Sequence, residues 1–182
     1  MDIAELKSLV RTVPDFPTKG IQFRDLTTLL ANGAGFADCI THLCEKVGAL
    51  QTDAPFDAIA GIEARGFIFG AAVAARLGLG FLPLRKPGKL PVPTLGVDYA
   101  LEYGQDRLEL DPSMISSGDR IIIIDDLIAT GGTAVAAVKL LREAGAVVDH
   151  VLCVIDLPQL AGVKRLHDIG VSTDALMEFA ED

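Results

Sequence analysis

Residues 121–133 read IIIIDDLIATGGT. Four β-branched residues with no polar break predict a strand covered on both faces. That strand delivers two adjacent acids, Asp125 and Asp126, and then a Thr-Gly-Gly-Thr turn that opens a helix over residues 132–144. Ligands of open α/β sheets sit beyond the carboxyl ends of the strands. Gly131 and Gly132 let the backbone approach such a ligand closely. The free amides of the helix N-terminus, with the Thr130 and Thr133 hydroxyls, make a cradle for a phosphate dianion. Asp125 and Asp126 would be repelled by that phosphate and suit vicinal sugar hydroxyls beside it. A core strand, an acidic turn and a Thr helix cap would account for the same letters without any ligand. The chain has no G-K-[ST] and no G-x-G-x-x-G, which excludes a triphosphate P-loop and a dinucleotide fingerprint.

Outward from this stretch, the pattern is strand–helix–strand on both sides. Residues 56–62 (FDAIAGI) predict a short buried strand, 66–77 a helix of small residues, and 80–84 a second strand. After the central motif, Val135, Val138 and Leu141 face inward on the helix, Gly145 suits its C′ position, and 147–155 (VVDHVLCVI) predict the next strand. Two βαβ units imply a parallel sheet with right-handed crossovers. Further out, Ile3, Leu6 and Val10 predict a helix over 2–11, ended before Pro14 and Pro17. A second helix is predicted over 36–50 with Ile40, Leu43 and Val47 on one stripe. Residues 85–117, with Pro87, Pro91 and Pro93 among glycines and lysines, predict a loop running into a hairpin. So long a span in a small domain is usually functional, and it reads as a lid.

The composition sets outer limits. A chain of 182 residues and 19.2 kDa is one α/β domain, able to bury roughly 70% of its unfolded surface without disulfides or structural metal. Its net charge of −9 argues against a non-specific nucleic-acid binder, but local amides and a few cations can still hold phosphates. Cys39, Cys44 and Cys153 are scattered and read as reduced core thiols. The first ten residues lack a signal-peptide core. The longest apolar run, around 67–75, is interrupted by Arg76 and is shorter than the roughly 18 residues of a membrane span. The expectation is a soluble, cytoplasmic protein. His42, His150 and His167 stand away from the motif and read as structural or surface residues.

The 121–133 string resembles the phosphoribosyl-diphosphate (PRPP) motif of the type I phosphoribosyltransferases. The resemblance covers nearly the whole chain and is to the adenine-specific members of that family. PDFPTKGIQFRDLT (14–27), IAGIEARGFIFG (59–70), LRKPGKLPVPTL (84–95) and LEYG (101–104) match in order and spacing. It implies a single domain over 1–182 with a central, mostly parallel twisted sheet flanked by helices. A small hood would come from about 12–30 and the C-terminal segment, and a flexible lid loop from about 86–106. It also implies a homodimer.

The same resemblance implies roles. Ala129, Thr130, Gly131, Gly132 and Thr133 would hold the 5-phosphate, and Asp125 and Asp126 the ribose hydroxyls. Glu63, Ala64 and Arg65 would form the pyrophosphate loop, with a cis peptide between Glu63 and Ala64 and with Lys86 and Lys89 adding positive charge. A guanidinium at Arg65 can clamp phosphate oxygens bidentately; alone, Arg65 would read as a surface arginine flanking a helix. Phe23 would stack on the purine with Leu127 opposite. The Gln22 carbonyl would accept from the 6-amino group, and the Arg24 amide would donate to N1. Without the resemblance, Phe23 reads as a core anchor, Arg24 and Asp25 as a surface ion pair, and Lys86 and Lys89 as solvated loop lysines. Glu102 would assist proton loss from N9 or stabilise cationic charge, and Tyr103 would hold the leaving group or seal the site. Gln22, where an aliphatic residue is commoner, and Pro87 with residues 96–98 depart from the family pattern.

The implied reaction joins adenine to PRPP with Mg²⁺ present, giving AMP and pyrophosphate. The metal would be held mainly through the substrate, with Asp125 and Asp126 nearby. Rival readings are another base, such as xanthine or hypoxanthine, and a non-catalytic PRPP-sensing module. A receiver-like signalling domain also pairs acids after an apolar strand, but near its N-terminus, whereas here they follow two-thirds of the chain.

Overall fold

Alternate isoleucines of the 121–124 run face opposite layers of the molecule. Ile122 and Ile124 join one apolar cluster, and Ile121 and Ile123 join another, all four fully buried. This is the period-two pattern of a central strand with helices on both faces.

The computed structural model describes residues 1–51, 54–100 and 104–180. Helix α1 (Ile3–Ser8) precedes an antiparallel ribbon of β1 (Arg11–Pro14) and β2 (Gln22–Asp25). Helices α2 (Thr27–Ala31) and α3 (Gly33–Leu50) follow, then β3 (Ala58–Ile62), α4 (Arg65–Leu77) and β4 (Gly80–Leu84). A hairpin of β5 (Leu95–Ala100) and β6 (Gln105–Leu110) comes next. The chain continues through β7 (Ile121–Ile128), α5 (Gly132–Glu143), β8 (His150–Asp156), α6 (Gly162–His167) and β9 (Ser172–Glu178). Five strands form the sheet in the order β4-β3-β7-β8-β9, every neighbouring pair parallel. The α/β class and the parallel sheet expected from the two βαβ units are both present. Phe69 and Val73 of α4 pack in the cluster of Ile122 and Ile124, whereas Val138 and Leu141 of α5 pack with Ile121 and Ile123.

Several boundaries differ from the sequence reading. The first helix stops at Ser8 and not near Arg11, because Arg11–Pro14 pairs with β2 and the Arg11 guanidinium binds Asp25. The second helix starts three residues early, at Gly33, where the Asn32 side chain accepts from the Gly35 amide at 2.8 Å and caps it. β7 continues through Ile128, so both acids lie in the strand itself. β8 begins at His150; Val147 makes an isolated bridge to Arg120 and stays exposed. Gly145, at φ +99°, follows the α5 C-cap residue Ala144 as expected. Cys39 and Cys153 are buried free thiols and Cys44 is half-buried.

Candidate active site

From β3 the chain crosses by α4 to β4 on one side, and from β7 it crosses by α5 to β8 on the other. The carboxyl ends of β3 and β7, which are neighbours, therefore flank a topological switch point, where open α/β sheets leave a crevice. A cavity of about 330 Å³ opens there, lined by residues 62–65 and 125–134 with Lys86, Tyr99 and Asp106.

The cradle forms one wall. The first intrahelical bond of α5 runs from the Val135 amide to the Gly131 carbonyl at 2.9 Å. The amides of Gly132, Thr133 and Ala134 thus precede any helical partner and belong to residues on the cavity wall. No side chain caps this helix; its cap residue is Gly131, which sets aside the plain Thr-cap explanation. Gly131 is needed twice over. Its φ is +78°, and a Cβ there would lie 2.8 Å from the Gly162 carbonyl oxygen. The cradle thus rests directly on the start of α6, a contact at Gly162 that the sequence reading missed.

The two acids form the floor. Asp126 is buried, and Arg65 Nε lies 2.9 Å from its Oδ2. This contact lacks hydrogen-bond alignment, so Oδ2 keeps an unused acceptor site. Asp125 Oδ1 accepts from the Asp126 amide at 2.9 Å. Burial raises both acids above the usual carboxylate range; the Asp126 charge adds to the rise at Asp125, and Arg65 opposes it at Asp126. Gly66 lets the first turn of α4 come this close, since a Cβ there would lie 2.7 Å from Asp125 Oδ1.

On the far wall, the peptide between Glu63 and Ala64 is cis. The Glu63 carboxylate accepts from the Lys86 amide at 2.7 Å and from Arg85 Nε at 3.0 Å. These bonds, the Lys86 amide first, lower its pKa. Glu63 therefore fixes the segment that carries Lys86. The Lys86 ammonium reaches the cavity, but Lys89 is exposed and lies off its lining.

A second cavity of about 460 Å³ adjoins the first and shares Arg65 and Asp126 with it. Its walls are apolar: Val13, Phe16, Phe23, Leu30, Ile68 and Phe69. The Phe16 and Phe23 rings meet edge to face with centroids 5.1 Å apart. Phe16, within PDFP, is a wall residue the sequence reading passed over. Leu127 lines the polar cavity and not this one, and the Gln22 residue is exposed. Arg24 turns away: its Nη1 donates to Thr12 Oγ1 at 2.5 Å, and its guanidinium stacks 4.7 Å from the Phe179 ring. Asp25 instead pairs with Arg11 and accepts from Thr27, so an Arg24–Asp25 ion pair is not what holds this segment. Glu102 and Tyr103 lie outside the described residues.

A helix-terminus cradle, an acid pair and an adjoining apolar pocket meet at one switch point of a parallel α/β sheet, an arrangement suited to a sugar phosphate. Residues 25–181 match the phosphoribosyl transferase domain family. The chain is 64% identical over 179 residues to the adenine phosphoribosyltransferase of Novosphingobium aromaticivorans, covering 98% of each. The crystal structure of adenine phosphoribosyltransferase from Thermoanaerobacter pseudethanolicus superposes with a TM-score of 0.89 at 45% identity, over 97% of this chain and 99% of that one. The Saccharomyces cerevisiae enzyme, complexed with an imino-altritol bisphosphate and adenine, gives 0.91 at 35% identity, over 96% and 98%. The chain belongs to the adenine phosphoribosyltransferase family.

Proposed function

We propose that this chain transfers the phosphoribosyl group of PRPP to N9 of adenine, giving AMP and pyrophosphate in purine salvage. The observation that carries this reading is the junction at Arg65 and Asp126, where a polar cavity with a helix-terminus cradle meets an apolar pocket walled by Phe23. A purine on the Phe23 side and a ribose phosphate on the α5 side would face each other across that junction.

The bond from C1 to the pyrophosphate oxygen breaks as N9 bonds to C1 from the opposite face, and the N9 proton leaves. The transition state is oxocarbenium-like, so the protein's task is to fix both reactants, balance the leaving charge and exclude water. In this reading residues 129–133 hold the 5-phosphate. Asp125 and the free acceptor of Asp126 take the ribose hydroxyls. Arg65, the 63–65 loop, Lys86 and Lys89 meet the pyrophosphate. Glu102 helps the N9 proton leave, and Tyr103 holds the leaving group. Phe23 and Leu127 bracket the base, whose edge meets the Gln22 carbonyl and the Arg24 amide. A hood from about 12–30 with the C-terminal segment and a lid from about 86–106 cover the reactants.

Among the described residues no group of three or more His, Cys, Asp or Glu side chains is placed to hold a metal. Mg²⁺ fits nonetheless, because it commonly binds through substrate phosphates and one or two carboxylates, and Asp126 has a buried oxygen with no hydrogen-bond partner. It would be held mainly through the substrate, with Asp125 and Asp126 as the nearby carboxylates. When bound, it would neutralise phosphate charge on the substrate. A cytoplasmic homodimer completes the reading; no helix among the described residues is long and apolar enough to cross a membrane.

Incubating the protein with PRPP and, in turn, adenine, hypoxanthine and xanthine tests the reading. Pyrophosphate and AMP should form with adenine at least about a hundredfold faster than the oxopurine products, because a site reading polar groups rejects their mismatch strongly. Equal rates, or no product, would overturn it.

A further inference from the structure

Lys86 is held at both ends. Its amide donates to Glu63, and its ammonium contacts Asp106 Oδ2 and lies 2.8 Å from the Tyr99 hydroxyl. The Tyr99 hydroxyl donates to the same Asp106 oxygen at 3.0 Å. Tyr99 and Asp106 are cross-strand partners in the β5–β6 hairpin, so they reach Lys86 as one unit. All three side chains line the polar cavity. Asp106 thus occupies the ammonium that a pyrophosphate in this cavity would need.

We propose that Asp106, with Tyr99, is a positioning residue for Lys86: an internal stand-in for phosphate that keeps the ammonium at the cavity and yields it when pyrophosphate arrives. The inference rests on the reading above, in which this cavity takes pyrophosphate. Lysine suits such an exchange, being a compact charge on a flexible stem. The Lys86 and Asp106 side chains are 33% and 26% exposed, so the pair is screened and readily traded for a doubly charged ligand. Burial alone would lower the Lys86 pKa, but the bonds to Asp106 and Tyr99 outweigh it and raise the value, while Lys86 lowers that of Asp106. Both groups stay charged at neutral pH.

The test is a double-mutant cycle read by calorimetric titration with magnesium pyrophosphate. Asp106→Asn should bind pyrophosphate about fivefold more tightly than wild type, the scale on which a partly exposed ion pair competes. Asp106→Glu, which restores the competitor, should return to within about twofold of wild type. In a Lys86→Met background the same Asp106→Asn change should alter affinity by less than about 1.5-fold, because the group competed for is gone. An equal gain in both backgrounds would mean simple repulsion by Asp106, and an unchanged or weaker affinity in a folded Asp106→Asn protein would mean mere hairpin anchoring; either overturns the inference. Failure of wild type to bind pyrophosphate would overturn the functional reading itself.

Discussion

Asp126 is buried beside Asp125, with Arg65 as its nearby cation and one oxygen unpartnered. Burial raises its folded-state pKa. For an acid this sign means that the stability it contributes is present below the unfolded pKa and is lost as pH rises through the folded one. Burial therefore makes the folded state disfavour the ionised form of this acid. Asp126→Asn should melt no lower than wild type at pH 7 while kcat/KM for PRPP falls about 30-fold, a charged hydrogen bond being worth about 2 kcal/mol. Thermal melts and steady-state kinetics on one preparation check both halves. Gly131→Ala should behave oppositely, losing both activity and stability. A side chain at φ +78° is strained by about 1–2 kcal/mol, and its Cβ would also meet Gly162. The acids and Gly131 were legible in the sequence because few structures need D-D-x-x-x-T-G-G. Gly162 was not, since its value lies in a contact 31 residues away that no local pattern encodes.

The proposed function gives the helix terminus and the apolar pocket separate tasks, so a substitution in one should leave the other intact. Phe23→Ala should raise KM for adenine about tenfold or more, stacking on an aromatic ring being worth about 1–3 kcal/mol per base. PRPP affinity should stay within about twofold, because Phe23 lines the apolar cavity and not the polar one. Titrating each substrate separately checks this. The βαβ units could be read from sequence because buried parallel strands and their helices have unmistakable periods. The β1–β2 ribbon could not. Ile3, Leu6 and Val10 continue a helical spacing past Ser8, and Pro14 looks like a helix stop although it ends a strand opposite Gln22. What selects the ribbon is pairing with residues about a dozen positions later, including Arg11 to Asp25.

For the whole molecule, the five-stranded sheet separates two apolar layers, and the chain's crossovers to either side leave the polar cavity at the carboxyl ends of β3 and β7, with the apolar one adjoining it. Asp25 closes the N-terminal ribbon through Arg11 and joins it to the start of α2 through Thr27. The Thr27 hydroxyl and amide, then Arg11, lower its pKa from 3.8 to about 2. A depressed acid contributes stability above its unfolded pKa and loses it as pH falls through the folded one, here from 3.8 toward about 2. Asp25→Asn should therefore be less stable at neutral pH and show a shallower loss of urea resistance over that acid range. A slope equal to wild type would remove Asp25 from the acid limb.

The proposed function requires one arrangement of AMP: phosphate on the amides that open α5, base beside Phe23, ribose over the acid pair. A crystal structure with AMP tests it directly. The phosphate should lie within hydrogen-bond distance of the amides of residues 132–134, and the adenine ring against Phe23. A phosphate bound away from α5, or a base outside the Phe16–Phe23 pocket, would contradict it.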